Sequence, residues 1–234
     1  MIDYISIPFY DLFHANGHVP EVRGQLPPLL VAGQRSILEI GAGTGLITTV
    51  LADLSTAEIY ALEPSAAMRG VLLSRLSARP ELLSRVTVLP CDALSVKLED
   101  PADVIVMINV LYGLEPDYRR LLWPTLATSL EGAGLLIFTW REGGPPLRGP
   151  LREIGARQVG RHTYTVLSEV LDSDGEACRA RYVYRVSDGA SVLSEEEITS
   201  YSYRPSREIL RNELESAGFV LAKEAEGLLA WRLA

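Results

Sequence analysis

The sequence predicts an α/β fold: a doubly wound, mostly parallel sheet with helices on both faces, followed by an antiparallel β-meander lobe toward the C-terminus. Two observations support this prediction. Between residues 36 and 140, apolar strand-like runs alternate with helical patterns of about 10 to 15 residues, which is typical of a parallel sheet. After residue 160, strand-like segments are separated by Asp-Gly turns, which favour antiparallel hairpins.

Five parallel strands are predicted from the buried apolar runs, at 36–40, 57–63, 85–90, 102–109 and 133–140. Helices are predicted between them at 44–54, 65–78 and 117–130. Ser65 is expected to cap the second of these helices, and Pro124 is expected to bend or interrupt the third. Sheets of this kind bind ligands at the carboxyl ends of their strands, so the site is expected at that edge.

The C-terminal part has a different organisation. Residues 141–155 are rich in Gly and Pro and are predicted to form a connection. Three meander strands are predicted at 162–171, 177–186 and 196–204. A helix is predicted over 206–218, with Ser206 as its N-cap and Gly218 as its stop, and a last strand pair is expected after it.

The composition excludes several classes of function. The chain has 234 residues and a formal net charge of −8, with scattered basic residues, so a broad nucleic-acid surface is not expected. Cys91 and Cys178 lack metal-ligand and disulfide spacing, and the three histidines are scattered, so no metal is expected. No signal-peptide pattern and no apolar run of about 18 residues occurs. We therefore expect a soluble, cytoplasmic protein that binds neither nucleic acid nor a membrane.

The most informative stretch is SILEIGAGTGLITT, residues 36–49, in which three glycines stand between a strand and a helix. Glycines at such a turn expose backbone N–H groups to a ligand, because no Cβ stands in the way. A dinucleotide fold requires G-x-G-x-x-G, and the position of its third glycine is occupied by Leu46. The remaining alternatives are another nucleoside cofactor and an ordinary tight turn.

The pattern E-x-G-x-G-x-G from Glu39 to Gly45 resembles that of class I S-adenosylmethionine (SAM)-dependent methyltransferases. The resemblance covers about residues 1–140 and implies a Rossmann-like sheet with SAM as cofactor. The residues implied in cofactor binding are Tyr10, Glu39, Gly41, Ala42, Gly43, Glu63, Pro64, Met68, Asp92, Ala93 and Asn109.

The resemblance also implies a role for several of these residues. Glu63 would accept hydrogen bonds from both ribose hydroxyls, and Met68 would pack against the adenine. Asp92 would accept from the adenine amine, while the backbone N–H of Ala93 meets a ring nitrogen. Asn109 lies in NVLYGLEP, which resembles the stretch that borders both cofactor and acceptor. The alternative to a role in cofactor binding is that Glu63 is an ordinary surface acid and that Met68 is an ordinary core residue.

A narrower resemblance rests on YDLFHANG near the N-terminus and on the C-terminal meander. Both are similar to small-molecule methyltransferases, which include sugar N-methyltransferases of antibiotic pathways and glycine N-methyltransferase-like enzymes. This implies a single domain with a lid at 1–30, a cofactor-binding core at 31–145 and about 205–234, and a substrate-side lobe at about 160–204. In such a lid, Tyr10 would reach the cofactor carboxylate.

The catalytic residue is the least determined part, because a base is required only when the acceptor carries a proton to remove. The candidates are His14 and Tyr112, with His162 behind them, and for each a structural role is the alternative. The tyrosine pairs Tyr182/Tyr184 and Tyr201/Tyr203 each point to one face of a strand, toward an acceptor pocket or a half-buried sheet face.

The expected function is methyl transfer to N or O of a small molecule, in specialised metabolite biosynthesis. The main alternative is a SAM-binding enzyme of the same fold that catalyses a cyclisation or rearrangement without methylation. A non-catalytic binding subunit and a protein or RNA methyltransferase are further alternatives. The expected partner is a small-molecule substrate, and a homodimer is left open.

Overall fold

The computed structural model describes residues 6–30 and 33–234. The first five residues of the predicted lid and residues 31–32 at the start of the predicted core lie outside the described residues.

The helices of the described chain are α1 (Ile7–His14), α2 (His18–Gln25), α3 (Leu46–Leu54), α4 (Ala66–Ser77), α5 (Pro116–Ser129) and α6 (Arg207–Ser216). The strands are β1 (Ser36–Ile40), β2 (Glu58–Leu62), β3 (Val86–Leu89), β4 (Ala102–Met107), β5 (Leu130–Thr139), β6 (Gly149–Val159), β7 (His162–Asp174), β8 (Ala177–Asp188), β9 (Ser191–Tyr203), β10 (Phe219–Ala225) and β11 (Leu228–Leu233). Short 3₁₀ turns lie at Pro80–Leu82, Ala93–Ser95 and Leu111–Gly113.

Seven strands form the main sheet in the order β10-β11-β5-β4-β1-β2-β3. The strands β1 to β5 pair in parallel, and β11 and β10 add an antiparallel edge. The chain order reverses at β1, which lies between β2 and β4. This is the switch point at which parallel sheets of this type bind ligands. The predicted doubly wound sheet is confirmed.

Alternate residues of the central strands pack into two separate cores. Ile37 of β1 belongs to the core that α2, α3 and α4 cover. Leu38 belongs to the other core, which is covered by α5 and α6 and contains the fully buried Trp123. Both faces of the sheet are therefore covered, which explains why its strands read as continuous apolar runs.

The C-terminal lobe is a four-stranded antiparallel sheet in the order β6-β7-β8-β9. The predicted connection at 141–155 is wrong from Gly149 onward, because β6 begins there and pairs with β7. The glycines that suggested a loop have another use. A Cβ at Gly155 would lie 2.9 Å from a ring carbon of Phe13, so this glycine lets α1 pack closely against the sheet.

The local helix signals gave mixed results. Both predicted caps are confirmed: Ser65 Oγ accepts from Met68 N–H at 3.4 Å, and Ser206 Oγ accepts from Ile209 N–H at 3.2 Å. The predicted interruption at Pro124 is wrong, since α5 runs continuously through it. The buried apolar side chains of α5 hold it against the sheet and offset the one missing N–H.

The lobe is fastened to the core by a buried arginine. Arg119 of α5 is fully buried and pairs with Glu213 of α6 at 2.7 Å and with Glu176 of the β7–β8 turn at 3.1 Å. The Nε1–H of Trp123 also donates to Glu213, at 2.9 Å. One cation therefore joins α5, α6 and the lobe.

Candidate functional site

The glycine turn between β1 and α3 lies at the switch point of the sheet. Gly41, Gly43 and Gly45 have φ values of +72°, +57° and +83°, a region that side chains disfavour. The N–H groups of Gly41 and Ala42 donate to the Leu62 carbonyl at 2.8 and 2.9 Å, which fixes the turn to the end of β2. A Cβ at Gly41 would lie 2.6 Å from Val110, so the fourth strand's exit also approaches the turn closely.

Glu63 follows β2 and is held beside this turn. Its Oε2 accepts from Gly43 N–H at 2.9 Å, and its Oε1 accepts from Ser65 N–H at 2.7 Å. The residue is 7% exposed. Two backbone donors fix the carboxylate, and each oxygen keeps a lone pair for a ligand in the adjoining cavity.

Asp92 follows β3 and is oriented by two donors. Its Oδ1 accepts from Leu94 N–H at 2.9 Å and from the Tyr118 hydroxyl at 2.8 Å. Burial and the bond to this carboxylate raise the pKa of Tyr118. Both contacts use Oδ1, so Oδ2 accepts from neither of these donors. Sequence reasoning missed Tyr118, because its approach to Asp92 depends on how α5 packs.

A charge cluster holds α1 against the glycine turn. The Asp11 carboxylate accepts from the Thr44 hydroxyl at 2.6 Å and pairs with the Arg75 guanidinium. Arg75 Nε–H also donates to the Thr44 carbonyl at 2.9 Å. The neighbouring Tyr10 lies over the turn. Its hydroxyl oxygen is 3.8 Å from the position that a Cβ on Gly43 would occupy.

His14 closes α1, and its Nδ1 lies 2.7 Å from the Tyr10 carbonyl. Since a carbonyl only accepts, Nδ1 carries the hydrogen, and the neutral ring keeps an acceptor lone pair on Nε2. The imidazole stacks on the Tyr10 ring at 4.4 Å between centroids.

His18, four residues later, was missed by sequence reasoning, although its spacing from His14 was a signal. Its Nε2 lies 2.8 Å from Asn109 Nδ2. Burial and the charge of His14 lower the pKa of His18. Asn109 has a φ of +60° and lies two residues after the end of β4, where it lines the large cavity.

Glu39 in β1 is 2% exposed and accepts from the Thr48 hydroxyl at 2.6 Å. Burial raises its pKa from 4.5 to about 7. Glu39 and Ala42 lie behind the glycine turn, at a small cavity that also touches His14 and His18, and not in the lining of the large cavity.

The large cavity has a volume of about 510 Å³ and unites most of the predicted residues. The predicted residues that line it are Tyr10, His14, Gly41, Gly43, Glu63, Pro64, Met68, Asp92, Ala93 and Asn109. The lobe adds Ser200, Tyr201 and Tyr203, and the segment after β4 adds Gly113, Leu114, Glu115 and Tyr118. Of the two tyrosine pairs, only Tyr201 and Tyr203 reach the cavity.

Two catalytic candidates lie elsewhere, and this corrects the sequence interpretation. Tyr112 is outside the lining, and its hydroxyl accepts from Arg141 N–H at 2.9 Å because the 3₁₀ turn directs it away. His162 begins β7 at the tip of the β6–β7 hairpin and contacts Arg161. Tyr182 and Tyr184 stack on each other at 6.5 Å, and Tyr184 packs on Phe9.

Within residues 6–30 and 33–234, no three His, Cys, Asp or Glu side chains are grouped as a metal site. In the same described ranges, none of the helices has both the length and the apolar surface needed to span a membrane.

Comparison with known proteins links this site to a family. Residues 38–136 match the family model described as a methyltransferase domain. An uncharacterised methyltransferase of Mycobacterium bovis is 29% identical over 153 residues, which are 65% of this chain and 53% of the relative. The chain thus spans about half the length of this curated relative.

Two solved structures are similar over nearly the whole chain. DesVI of Streptomyces venezuelae is 18% identical with a TM-score of 0.79, covering 97% of this chain and 98% of its own. CalS10, an amino pentose methyltransferase from Micromonospora echinaspora involved in calicheamicin biosynthesis, is 17% identical with a TM-score of 0.77, covering 99% and 98%. At these identities, the similarity establishes the shared fold.

Proposed function

We propose that the chain is a class I SAM-dependent methyltransferase that transfers a methyl group from SAM to N or O of a small molecule, in specialised metabolite biosynthesis. The match of residues 38–136 to a methyltransferase domain supports this proposal. One observation carries the proposal. A single cavity of about 510 Å³ brings the glycine turn, Glu63 and Asp92 together with a roof from the antiparallel lobe. The similarity to CalS10, described as an amino pentose methyltransferase, supports the small-molecule acceptor.

The lining residues fit the cofactor chemically. The turn at Gly41 and Gly43 presents backbone without side chains, and the carboxylate of Glu63 is fixed at its edge. We assign Glu63 to the ribose hydroxyls, since a carboxylate held by two backbone donors accepts further hydrogen bonds with little reorganisation. Asp92, with Oδ2 unused by Tyr118, is assigned to the adenine amine.

The remaining predicted residues act around these two carboxylates. We assign Met68 and Pro64 to apolar contact with the base, and the N–H of Ala93 to a ring nitrogen. Tyr10 covers the cofactor as part of α1, and Asn109 borders the acceptor side. Glu39 and Ala42 lie behind the turn, so we assign them to shaping it.

When bound, SAM supplies a methyl group on a sulfonium, which provides the reactivity. The protein must then align the acceptor, exclude water and remove a proton where the acceptor has one. We propose His14 as that base, because it lines the cavity and its Nε2 lone pair is free to accept. With SAM bound as methyl donor, His14 would take up at Nε2 the proton that the acceptor loses. Tyr112 is not part of this proposal.

We further propose that the lid, core and lobe act as one domain. The fully buried Arg119 joins the lobe to α5 and α6, and Phe9 of α1 packs against Tyr164 and Tyr184 of the lobe. A cytoplasmic location and a homodimer remain predictions from the sequence.

The test begins with calorimetric titration of the protein with S-adenosylhomocysteine (SAH) and, as control, NADH. Micromolar binding of SAH with no binding of NADH is expected. Methyl-labelled SAM is then incubated with the protein and a series of amines and alcohols, and label transfer is measured. SAH binding without transfer to any acceptor would favour the alternative of a non-methylating reaction, whereas absence of SAH binding would refute the assigned cofactor site.

A further inference from the structure

We propose that His18 is a positioning residue of the cofactor site. It holds the side-chain amide of Asn109 so that the amide oxygen, Oδ1, is presented to the large cavity and accepts a hydrogen bond from the ammonium group of the bound cofactor. The inference rests on the proposed function and concerns how that site is oriented. It depends on polar contacts that run from the segment after β5 to the cavity wall.

Asn109 is held in place through its backbone. Its N–H donates to Thr139 Oγ1 at 3.2 Å, at the end of β5. Its φ of +60° lies in the left-handed region, which Asn adopts more readily than most residues. With the backbone fixed, the direction of the side-chain amide determines whether the cavity meets an oxygen acceptor or an NH₂ donor.

The amide is directed by His18, the first residue of α2. Asn109 Nδ2 lies 2.8 Å from His18 Nε2, so the NH₂ group donates to this nitrogen when the nitrogen carries a lone pair. In the part of the chain that the structure describes, no donor is bonded to Asn109 Oδ1. This oxygen is therefore left for a ligand.

The lone pair on Nε2 follows from the neighbour of the other ring nitrogen. Glu21 Oε2 lies 3.9 Å from His18 Nδ1, and Arg141 Nη2 donates to both oxygens of Glu21, at 3.1 and 3.2 Å. A carboxylate beside Nδ1 favours the tautomer with the hydrogen on Nδ1. The reversed amide would require the hydrogen on Nε2, and the Nδ1 lone pair would then face the carboxylate.

The ring must also be neutral to accept a hydrogen bond at Nε2. The ionisable groups around it come from α1, α2, β1 and the segment after β5: Tyr10, His14, Glu21, Glu39 and Arg141. Burial and the charge of His14 lower the pKa of His18 from 6.5, against the opposing effect of Glu21. His18 is therefore neutral at pH 7. Protonation at lower pH would make Nε2 a donor, and the amide of Asn109 would have to turn its NH₂ group to the cavity.

The order of the strands places Asn109 at the methionyl end of the cofactor. The loops at this edge of the sheet follow β4, β1, β2 and β3 in that order. Glu63 after β2 and Asp92 after β3 are assigned to the ribose and the adenine, so Asn109 after β4 lies beyond the glycine turn from both. The methionyl part of SAM and SAH carries an ammonium group, which only donates. An oxygen at this end binds it, and an NH₂ group repels it.

The first experiment determines the tautomer of His18 by long-range proton–nitrogen correlation NMR on the full-length protein at pH 8, without ligand. The neutral ring with its hydrogen on Nδ1 is expected, and the spectrum of His18→Gln identifies the signals. A hydrogen on Nε2 would mean that the Asn109 amide is reversed, and it would overturn the proposal. This measurement depends on no variant being stable in place of the wild type and on no ligand.

The second experiment measures SAH affinity by calorimetry at pH 8. His18→Leu removes the acceptor of the NH₂ group and is expected to weaken binding roughly 10- to 150-fold, the size of a lost hydrogen bond to a charged group. His18→Gln is expected to stay within about threefold of the wild type, because Gln offers an acceptor oxygen near the position of Nε2. His162→Leu is the matched control, since His162 lies at the tip of the β6–β7 hairpin and outside both cavities.

Two further measurements separate positioning from a purely structural role. In an Asn109→Gly background, which a φ of +60° permits, His18→Leu should weaken SAH binding no further, because His18 acts through the Asn109 amide. In the wild type, SAH affinity should fall as the NMR signals of His18 report its protonation, and His18→Gln should lack this component. Circular dichroism verifies that each variant folds.

The outcomes distinguish this inference from the proposed function. Equal SAH affinity in the wild type and His18→Leu, additive effects of His18→Leu and Asn109→Gly, or the same acid sensitivity in His18→Gln overturns the positioning role while the cofactor site stands. SAH that binds at no pH overturns the proposed function and the ligand assigned to Asn109, whereas the tautomer still decides the direction of the amide.

Discussion

Replacing Glu63 by Gln is expected to weaken SAH binding by roughly 10- to 150-fold. In the protein, Oε2 accepts from Gly43 N–H at 2.9 Å and Oε1 from Ser65 N–H at 2.7 Å. Gln offers one oxygen and one NH₂ group, so the ribose loses at least one bond to an ionised acceptor. Such a bond contributes about 1.5–3 kcal/mol, which gives the stated range.

The same substitution has a second effect, on stability. The new NH₂ group faces a backbone N–H, so either Gly43 or Ser65 loses its acceptor, and the unfolding free energy should fall by about 1–3 kcal/mol. Calorimetry with SAH and urea unfolding measure the two effects separately. Glu99→Gln, at an exposed acid away from the cavity, is the control and should change neither. A folded Glu63→Gln variant that binds SAH within twofold of the wild type would refute the assignment.

Three further predictions concern stability. Gly45→Ala should lower the unfolding free energy by about 2–4 kcal/mol in urea, because φ is +83° and the new Cβ would clash with the Leu72 side chain. Gly70→Ala, where the new Cβ meets open space, should raise it by about 0.5–1 kcal/mol. Burial raises the pKa of Glu39 from 4.5 to about 7, so its carboxylate binds a proton more tightly in the folded than in the unfolded state. The protonated side chain therefore contributes roughly 3 kcal/mol of stability below pH 4.5, and this contribution is lost as the pH rises through about 7. Urea unfolding at pH 5 and pH 8 should show this difference in the wild type and lack it in Glu39→Gln. Arg119→Met leaves two partly buried carboxylates without their cation and should lower the unfolding free energy by about 3–5 kcal/mol in calorimetry. Arg120→Met, at an exposed arginine, should change it little.

Sequence reasoning succeeded where one local signal determined the structure. The strand at 36–40 was predicted residue for residue, because Ile37, Leu38 and Ile40 form a largely apolar run that ends at the glycines. The caps at Ser65 and Ser206 were predicted because a cap is an interaction within one turn. All of these features depend on residues close together in the chain.

It failed where distant packing decided the outcome. The residues of β6 include Pro150 and Gly155, which favour a loop locally, but the ladder with β7 and the contact of Phe13 with Gly155 make them a strand. Tyr112 and Tyr118 present the same problem at the site. Both follow β4, yet the 3₁₀ turn directs one to Arg141 and α5 brings the other to Asp92.

The adjacent pair Tyr10-Asp11 shows how the two kinds of information combine in one site. Neighbouring residues on a helix point about 100° apart, so Tyr10 can line the cavity while Asp11 faces the protein. The partners of Asp11, Thr44 and Arg75, are 33 and 64 residues away, and no local pattern predicts them. Since Thr44 lies within the glycine turn, the same hydrogen bond that positions α1 also fixes the turn. The position of α1 and the conformation of the glycine turn are therefore coupled through this one hydrogen bond.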